Sequence, residues 1–289
     1  MELARDLSAM TADVSAMTAF GPSGSSDSFV QAIPGQMPRF CVPVRSGFHR
    51  RVWAPEPLEL VPLWPSAVWH DDGMAQTLPP VGPPSARELA ALSRRDPALG
   101  AARRRVAPFP NLPRKGEYDS HFHALARSIV YQQLAGAAAR TIHDRVRALT
   151  PGPRFPNERE IAALADDELR GAGLSAGKLL ALRDLSARTL DGTLRLRSIA
   201  RRSDEEIIDE LVEVRGIGRW TAQMFLMFRL GRRDILAPND LGLQEGLKRL
   251  DGLDERPKPK ELAARGEAWA PLRSVASWVL WRLTEDKAQ

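Results

Sequence analysis

The sequence predicts an all-α protein behind a proline-rich, mostly irregular N-terminal extension, and three observations predict it. Twelve of the 23 prolines fall in residues 1–84, beside a Gly/Ser run, GPSGSSDS, at 21–28. From Ser85 onward, apolar residues recur at the spacing of amphipathic helices. The connections between these stretches are short and β-branched runs are few, which argues against a sheet. No repeat of solenoid length is present.

Segments such as APEPLELVPLWP and TLPPVGPPS cannot sustain helices, because each proline removes a donor and restricts the residue before it. Residues 1–84 therefore read as an extension without a core of its own. Two other readings stay open: a small β-containing lobe built on Val42, Val44, Trp53, Leu60 and Trp64, or translation starting at Met74. Residues 85–289 read as the helical domain. Ser85 caps a first helix carrying Leu89 and Leu92. Over 121–149 an apolar stripe runs through Phe122, Leu125, Ala126, Ile129, Val130, Leu134, Ile142, Val146 and Leu149, interrupted near Gly136. Further helices are predicted over 158–170, 175–190, 203–213, 219–230, 240–250 and 260–284. Ser203 and Glu206 have the spacing of a capping box at the start of 203–213.

The 289 residues carry 41 Lys+Arg against 36 Asp+Glu, but the excess is uneven. Residues 1–84 hold 5 basic and 8 acidic side chains, the remainder 36 and 28. A domain of +8 favours a polyanionic partner, although an ordinary solvated surface also carries such a charge. The single cysteine, Cys41, excludes an intrachain disulfide, an all-cysteine zinc site and a four-cysteine iron–sulfur cluster. The longest apolar runs, such as 224–228, fall far short of the ~20 residues of a membrane helix. MELARDLSAM lacks a basic start followed by an apolar stretch, so no secretory signal is expected. The expectation is a soluble cytoplasmic protein.

The most informative stretch is LVEVRGIGRWTAQMFLMF at 211–228. One helix ends near Val214, Gly216-Ile217-Gly218 makes a tight turn, and a second apolar helix begins. Glycines permit close backbone approach and unusual dihedrals, while Ile217 tucks inward. The N–H groups of Gly216, Gly218 and the next helical turn then point outward at a helix start. That is a phosphate site which reads no base. Arg215 and Arg219 flank it. An ordinary packing corner is the alternative; the arginines and the following Thr-Ala favour a DNA backbone.

From Leu211 through APNDLGLQEGL the chain resembles the helix-hairpin-helix–GPD superfamily of DNA glycosylases. SIVYQQLAGAAARTI (128–142), LSAGKLLALRDLS (174–186) and WAPLRSVASWVLWRL (269–283) are similar to the early, middle and last helices of its alkylbase branch. That branch is the AlkA/Mag-like DNA-3-methyladenine glycosylase II group. The resemblance covers about residues 85–289 and implies a two-lobed helical fold. Residues 1–84 do not look like the β-rich amino-terminal lobe of the larger bacterial members. The implied activity is that of a monofunctional glycosylase in base excision repair. It would flip out and hydrolytically excise alkylated bases, such as 3-methyladenine, from double-stranded DNA, as a nucleoid-associated monomer.

The resemblance carries the family's catalytic aspartate onto Asp240, twenty positions after Trp220. The plainer reading is that Asp240 caps a helix. A fixed carboxylate opposes the positive charge that develops on the sugar, and it can orient or deprotonate water. In glycosylase/lyase members a lysine stands two residues after the second hairpin glycine. Here that residue is Trp220, which cannot form a Schiff base. Lys248 lies on another helix and reads as a solvent or phosphate lysine. Trp220 and Trp281 match pocket positions whose ring faces attract a cationic flipped base. Met224 would floor that pocket, where the family often has an aromatic ring, and Tyr131 would border it or fill a helix junction. Trp278 is one turn from Trp281, so one of the two is expected in the core.

Gln133 matches the wedge that enters the emptied stack, with Gln132 beside it and Leu134 on the apolar stripe. Gly216, Gly218 and Thr221, with Arg215 and Arg219, are the implied DNA-backbone anchors. His121 and His123 lack a third ligand at metal spacing, so no metal site is expected. The family's hairpin carbonyls often hold a monovalent cation, the one cofactor implied. ARRR (102–105), GRR (231–233) and RPKPK (256–260) read as solvated faces. Two alternatives remain: a non-catalytic hairpin module that binds DNA, or a glycosylase for mismatched or oxidised bases. The missing cysteines weigh against the iron–sulfur branches, and Trp220 weighs against the lyase branch.

Overall fold

The computed structural model describes residues 67–69, 75–77, 79–114 and 116–285, which form twelve α-helices. Helix α1 (Ala86–Arg95) starts where predicted: the Ser85 hydroxyl accepts from the Glu88 amide, and the Glu88 carboxylate accepts from the Ser85 amide. One residue separates it from α2 (Pro97–Arg105), with Asp96 as cap and a proline at the first position, where no N–H is needed. The 121–149 stripe gives α3 (His121–Tyr131) and α4 (Gly136–Arg147), broken over 132–135.

The single helix expected over 158–170 is two, α5 (Glu158–Ala163) and α6 (Asp166–Gly171). Leu164 and Ala165 are extended, and the Glu168 carboxylate accepts the Ala165 amide and restarts the helix. Helix α7 (Ala176–Asp191) ends at the left-handed Gly192. A 3₁₀ turn (Leu196–Arg201) leads to α8 (Asp204–Val212), whose Ser203–Glu206 capping box is present. Helix α9 (Arg219–Met224) continues as a π turn (Phe225–Arg229), and α10 is Leu241–Asp251. The helix expected over 260–284 is likewise divided into α11 (Pro259–Gly266), a 3₁₀ turn (Glu267–Trp269) and α12 (Arg273–Glu285). Pro271 has no N–H to continue a helix, and Ala270 before it is held extended.

Within the segment expected to be irregular, β1 (Ala67–Trp69) pairs antiparallel with β2 (Ala75–Thr77), Val68 opposite Gln76. Cys41, Met74 and the residues weighed for a β lobe, Val42, Val44, Trp53, Leu60 and Trp64, lie outside the described residues. Residues 79–84 are fastened to the helical domain. The Gly82 amide donates to the Gly231 carbonyl, and the Arg232 guanidinium to the Pro79 carbonyl. Arg232 was expected on a solvated face and is instead 1% exposed. Its Nη2 donates to the Ala200 and Arg202 carbonyls, and the Asp204 carboxylate lies beside its Nε as an ion pair, which together offset the cost of burying a guanidinium. Arg233 is also drawn in, onto Glu88.

The helices sort into two groups. Helices α1 and α2 pack with α10, α11 and α12 around Leu92, Leu99, Leu247, Trp269 and Val275. Helices α3, α4, α5, α7 and α8 enclose Leu125, Ile129, Ile161, Leu182, Leu185 and Leu211. Helix α9 packs on α8, its π continuation on α3, and the loop that follows returns the chain to the first group. Trp220, Asp240 and Trp281 meet at the seam between the groups. Among the described residues, no helix is long and apolar enough to cross a membrane.

Candidate active site

Asp240 sits at the seam, 2% exposed, at the N-cap of α10. Its Oδ1 accepts the Leu243 amide at 2.8 Å and the Trp281 indole N–H at 3.1 Å. Its Oδ2 accepts the Trp220 indole N–H at 2.6 Å. The two readings of Asp240 are therefore not alternatives. The cap orients one oxygen, and the indoles, one from each helix group, fix the other contacts. Three donors satisfy the buried carboxylate, and among the described residues no cation is paired with it. Gly242 is a tight position that sequence reasoning missed: a Cβ there would lie 3.0 Å from Asp240 Oδ1 and 3.1 Å from Trp281 Cδ1.

Trp220, Met224 and Phe228 follow one another at i, i+4 and i+8, all half-buried against the core. Phe228 lies on the π turn and stacks on Trp281, ring centroids 6.1 Å apart. It too was missed, although its spacing from Trp220 was a visible signal. Both paired tryptophans are buried, so the expectation of one core member and one pocket member is corrected: Trp278 donates its indole N–H to the Ala107 carbonyl beneath Arg282, and Trp281 packs in the core cluster while donating to Asp240. Leu134 packs against the core, as its place in the stripe suggested. The ring contacts of Tyr131 are with Arg127, 3.9 Å above its face, and with His143, neither of which belongs to the Asp240 group.

Of the two hairpin glycines, the backbone requires only Gly216. Gly216 has φ +78°, and a Cβ on it would come 3.2 Å from the Ala181 Cβ. Gly218 has an ordinary φ of −94° and open space where a Cβ would stand, which corrects the expectation of unusual dihedrals at both. Ile217 is tucked in, 3% exposed. No described residue accepts the amides of Gly216 or Gly218. The Arg215 amide donates to Asp184, leaving its side chain exposed, whereas the Arg219 guanidinium is already paired with Glu205. Thr221 is 7% exposed and stands in the first turn of α9, where a helix N–H has no intrahelical acceptor. Gln132 donates its side-chain amide to the Gly216 carbonyl at 2.8 Å, and Gln133 is exposed with φ +56°.

The Val214, Gly216 and Gly218 carbonyls each accept an N–H. That leaves the Arg215 and Ile217 carbonyls without a donor among the described residues. A carbonyl oxygen that accepts one N–H keeps a second lone pair, so the hairpin carbonyls retain the capacity to hold the monovalent cation that the resemblance implies, and no step below uses one. Among the described residues, no group of three or more His, Cys, Asp or Glu is placed to hold a metal.

His121 accepts the Arg229 Nε–H and meets Phe225 edge-on, whereas His123 belongs to a different arrangement, completed by a third histidine that sequence distance concealed. His123 Nε2 is 3.0 Å from His143 Nε2, and both rings stack on Phe155. One must donate and the other accept, so the pair cannot be doubly protonated. Burial, with the neighbouring His143, pushes His123 down to about 4; burial, with Arg229, pushes His121 down to about 4; burial also lowers His143. In the unfolded chain these groups titrate near 6.5. The unfolded state therefore binds more protons between pH 6.5 and about 4, and native stability falls as pH falls through that window. Thermal melts from pH 7.5 to 4.5 should show a steady decline beginning near pH 6.5. A flat profile down to pH 5 would contradict neutral burial of these rings.

Residues 126–271 match the family model described as HhH-GPD superfamily base excision DNA repair protein. The chain belongs to this superfamily. The HhH-GPD match takes in the hairpin and Asp240, while Trp281 lies beyond it. DNA-3-methyladenine glycosylase 1 of Schizosaccharomyces pombe is 32% identical over 173 residues, 60% of this chain and 76% of that protein. The structure of S. pombe 3-methyladenine DNA glycosylase (Mag1) with abasic DNA is similar with a TM-score of 0.62 at 29% identity, over 70% of this chain and 98% of that one. DNA-3-methyladenine glycosidase from Bacillus halodurans is similar with a TM-score of 0.63 at 34% identity, over 70% of this chain and 91% of that one.

Proposed function

We propose that this HhH-GPD protein is a monofunctional glycosylase that excises alkylated bases, such as 3-methyladenine, from double-stranded DNA, leaving an abasic site. One observation carries the reading: a buried carboxylate, Asp240, fastened by two indoles at the seam between the helix groups. The open amides of the hairpin hold the DNA backbone, and Gln133 fills the space of the extruded nucleotide. The base enters between Trp220, Met224, Phe228 and Trp281, where ring faces favour a cationic alkylated base over its neutral parent.

As the N-glycosidic bond breaks, the electron pair leaves with the base and positive charge grows on the sugar. Asp240 opposes that charge in a site closed to bulk water, where a fixed carboxylate counts most. Water then attacks the sugar carbon, forming the C–O bond of the abasic site, and its proton passes to the Asp240 carboxylate. Trp220 supplies no amine for a Schiff base, so the strand is left intact. We assign the protein a monomeric, cofactor-free action in the cytoplasm, on the nucleoid.

The test is base release from methylated duplex DNA, followed by alkali treatment of the product. Free methylated base, with strand breaks appearing only after alkali, is the expected result. Breaks before alkali would mean a lyase. No release, with binding retained, would leave a non-catalytic hairpin module or a glycosylase for mismatched or oxidised bases.

A further inference from the structure

Three contacts tie the Gln133 loop and the hairpin to each other and to helix α7. Lys178 Nζ donates to the Val130 carbonyl at 2.7 Å, in the last turn of α3, where helix carbonyls lack intrahelical partners and a cation is favoured. Asp184 Oδ2 accepts the Arg215 amide at 2.7 Å at the entrance to the hairpin turn. Gln132 closes the figure through the Gly216 carbonyl. Lys178, Ala181 and Asp184 stand at i, i+3 and i+6 on α7, one side of the helix, and Ala181 is the residue that Gly216 packs against. Lys178 is half-buried, and desolvation lowers its pKa. An ammonium placed there for solubility alone would sit in water. Gln133, next to Gln132, is the one described non-glycine residue in the left-handed region. Such backbone persists only where its surroundings hold it.

We propose that Lys178 and Gln132 are positioning residues: together with Asp184 they form a brace that fixes the distance between the phosphate-binding hairpin and the Gln133 wedge. The inference rests on the reading of Gln133 as wedge. Backbone capture at the hairpin then places Gln133 opposite the emptied stack without a search by the loop. Loosening the brace leaves the hairpin's grip on undamaged DNA intact and misplaces the wedge.

The experiment compares binding of the full chain to an undamaged duplex and to the same duplex carrying a tetrahydrofuran abasic analogue. Lys178→Met and Gln132→Ala are each made alone and with Gln133→Ala. Each single variant should lose about tenfold in affinity for the abasic duplex and little for the undamaged one. In the Gln133→Ala background, neither should cost anything more, since the wedge through which they act is gone. Unchanged abasic affinity, equal losses on both duplexes, or additive losses would each overturn the brace. If Gln133→Ala itself leaves abasic preference unchanged, wedge and brace fall together. A wild type that prefers the abasic duplex through Gln133 but releases no methylated base sinks the enzymatic reading alone.

Discussion

Asp240→Asn should reduce base release from methylated duplex DNA by at least about a hundredfold, with duplex binding nearly unchanged. The substitution keeps shape and removes charge, and the geometry specifies what else it disturbs. If the new amide nitrogen replaces Oδ2, it faces the Trp220 indole N–H, donor against donor. If the amide flips, its nitrogen faces the Leu243 amide and the Trp281 indole instead. Either way a buried donor loses its acceptor, at a cost of about 1–3 kcal/mol in stability. The rate must therefore be measured in single turnover, well below the melting temperature of the variant. Binding that survives while release collapses identifies the carboxylate with the chemistry, because the hairpin amides proposed to hold the backbone lie on another element. Release close to the wild-type rate would reduce Asp240 to a helix cap.

Much of this centre was legible in the sequence because the signals are local. The Gly216-Ile217-Gly218 turn, the Ser85–Glu88 and Ser203–Glu206 pairs, and an aspartate at a helix start are all set within a few residues. The cap and catalytic readings of Asp240 looked like rivals only because a sequence does not show where indole N–H groups point. What stayed hidden depends on distant partners. His143 reaches His123 because α3 packs on α4, and nothing in the His121–His123 spacing announces a third ring. Arg232 read as solvated because a charge run says nothing about which carbonyls converge on it. The 260–284 stretch shows the opposite failure. Pro271 was visible, but apolar periodicity carried across it and concealed a helix boundary.

Gly246→Ala should melt well below wild type, by about 5–10 °C, and lose base release with it. On an exposed helix the same change would be favourable, by about 0.5–1 kcal/mol, because alanine is the better helix former. Here that gain is outweighed. A Cβ on Gly246 would overlap the Leu280 carbonyl oxygen and come within 2.6 Å of its carbon and 2.7 Å of its Cβ. Backbone cannot rotate away as a side chain can, so α10 and α12 must move apart. Overpacking of this kind costs about 1–3 kcal/mol or more. The consequence reaches the carboxylate, because α10 begins at Asp240 and Leu280 is followed on α12 by Trp281. Separating the helices lengthens the 3.1 Å bond from the Trp281 indole to Asp240 Oδ1. Thermal melts and single-turnover release on the same preparation check both parts. An unchanged or higher melting temperature would mean that α10 and α12 do not meet at this glycine. Lowered stability with full activity would mean that the Trp281–Asp240 bond is dispensable to the reaction.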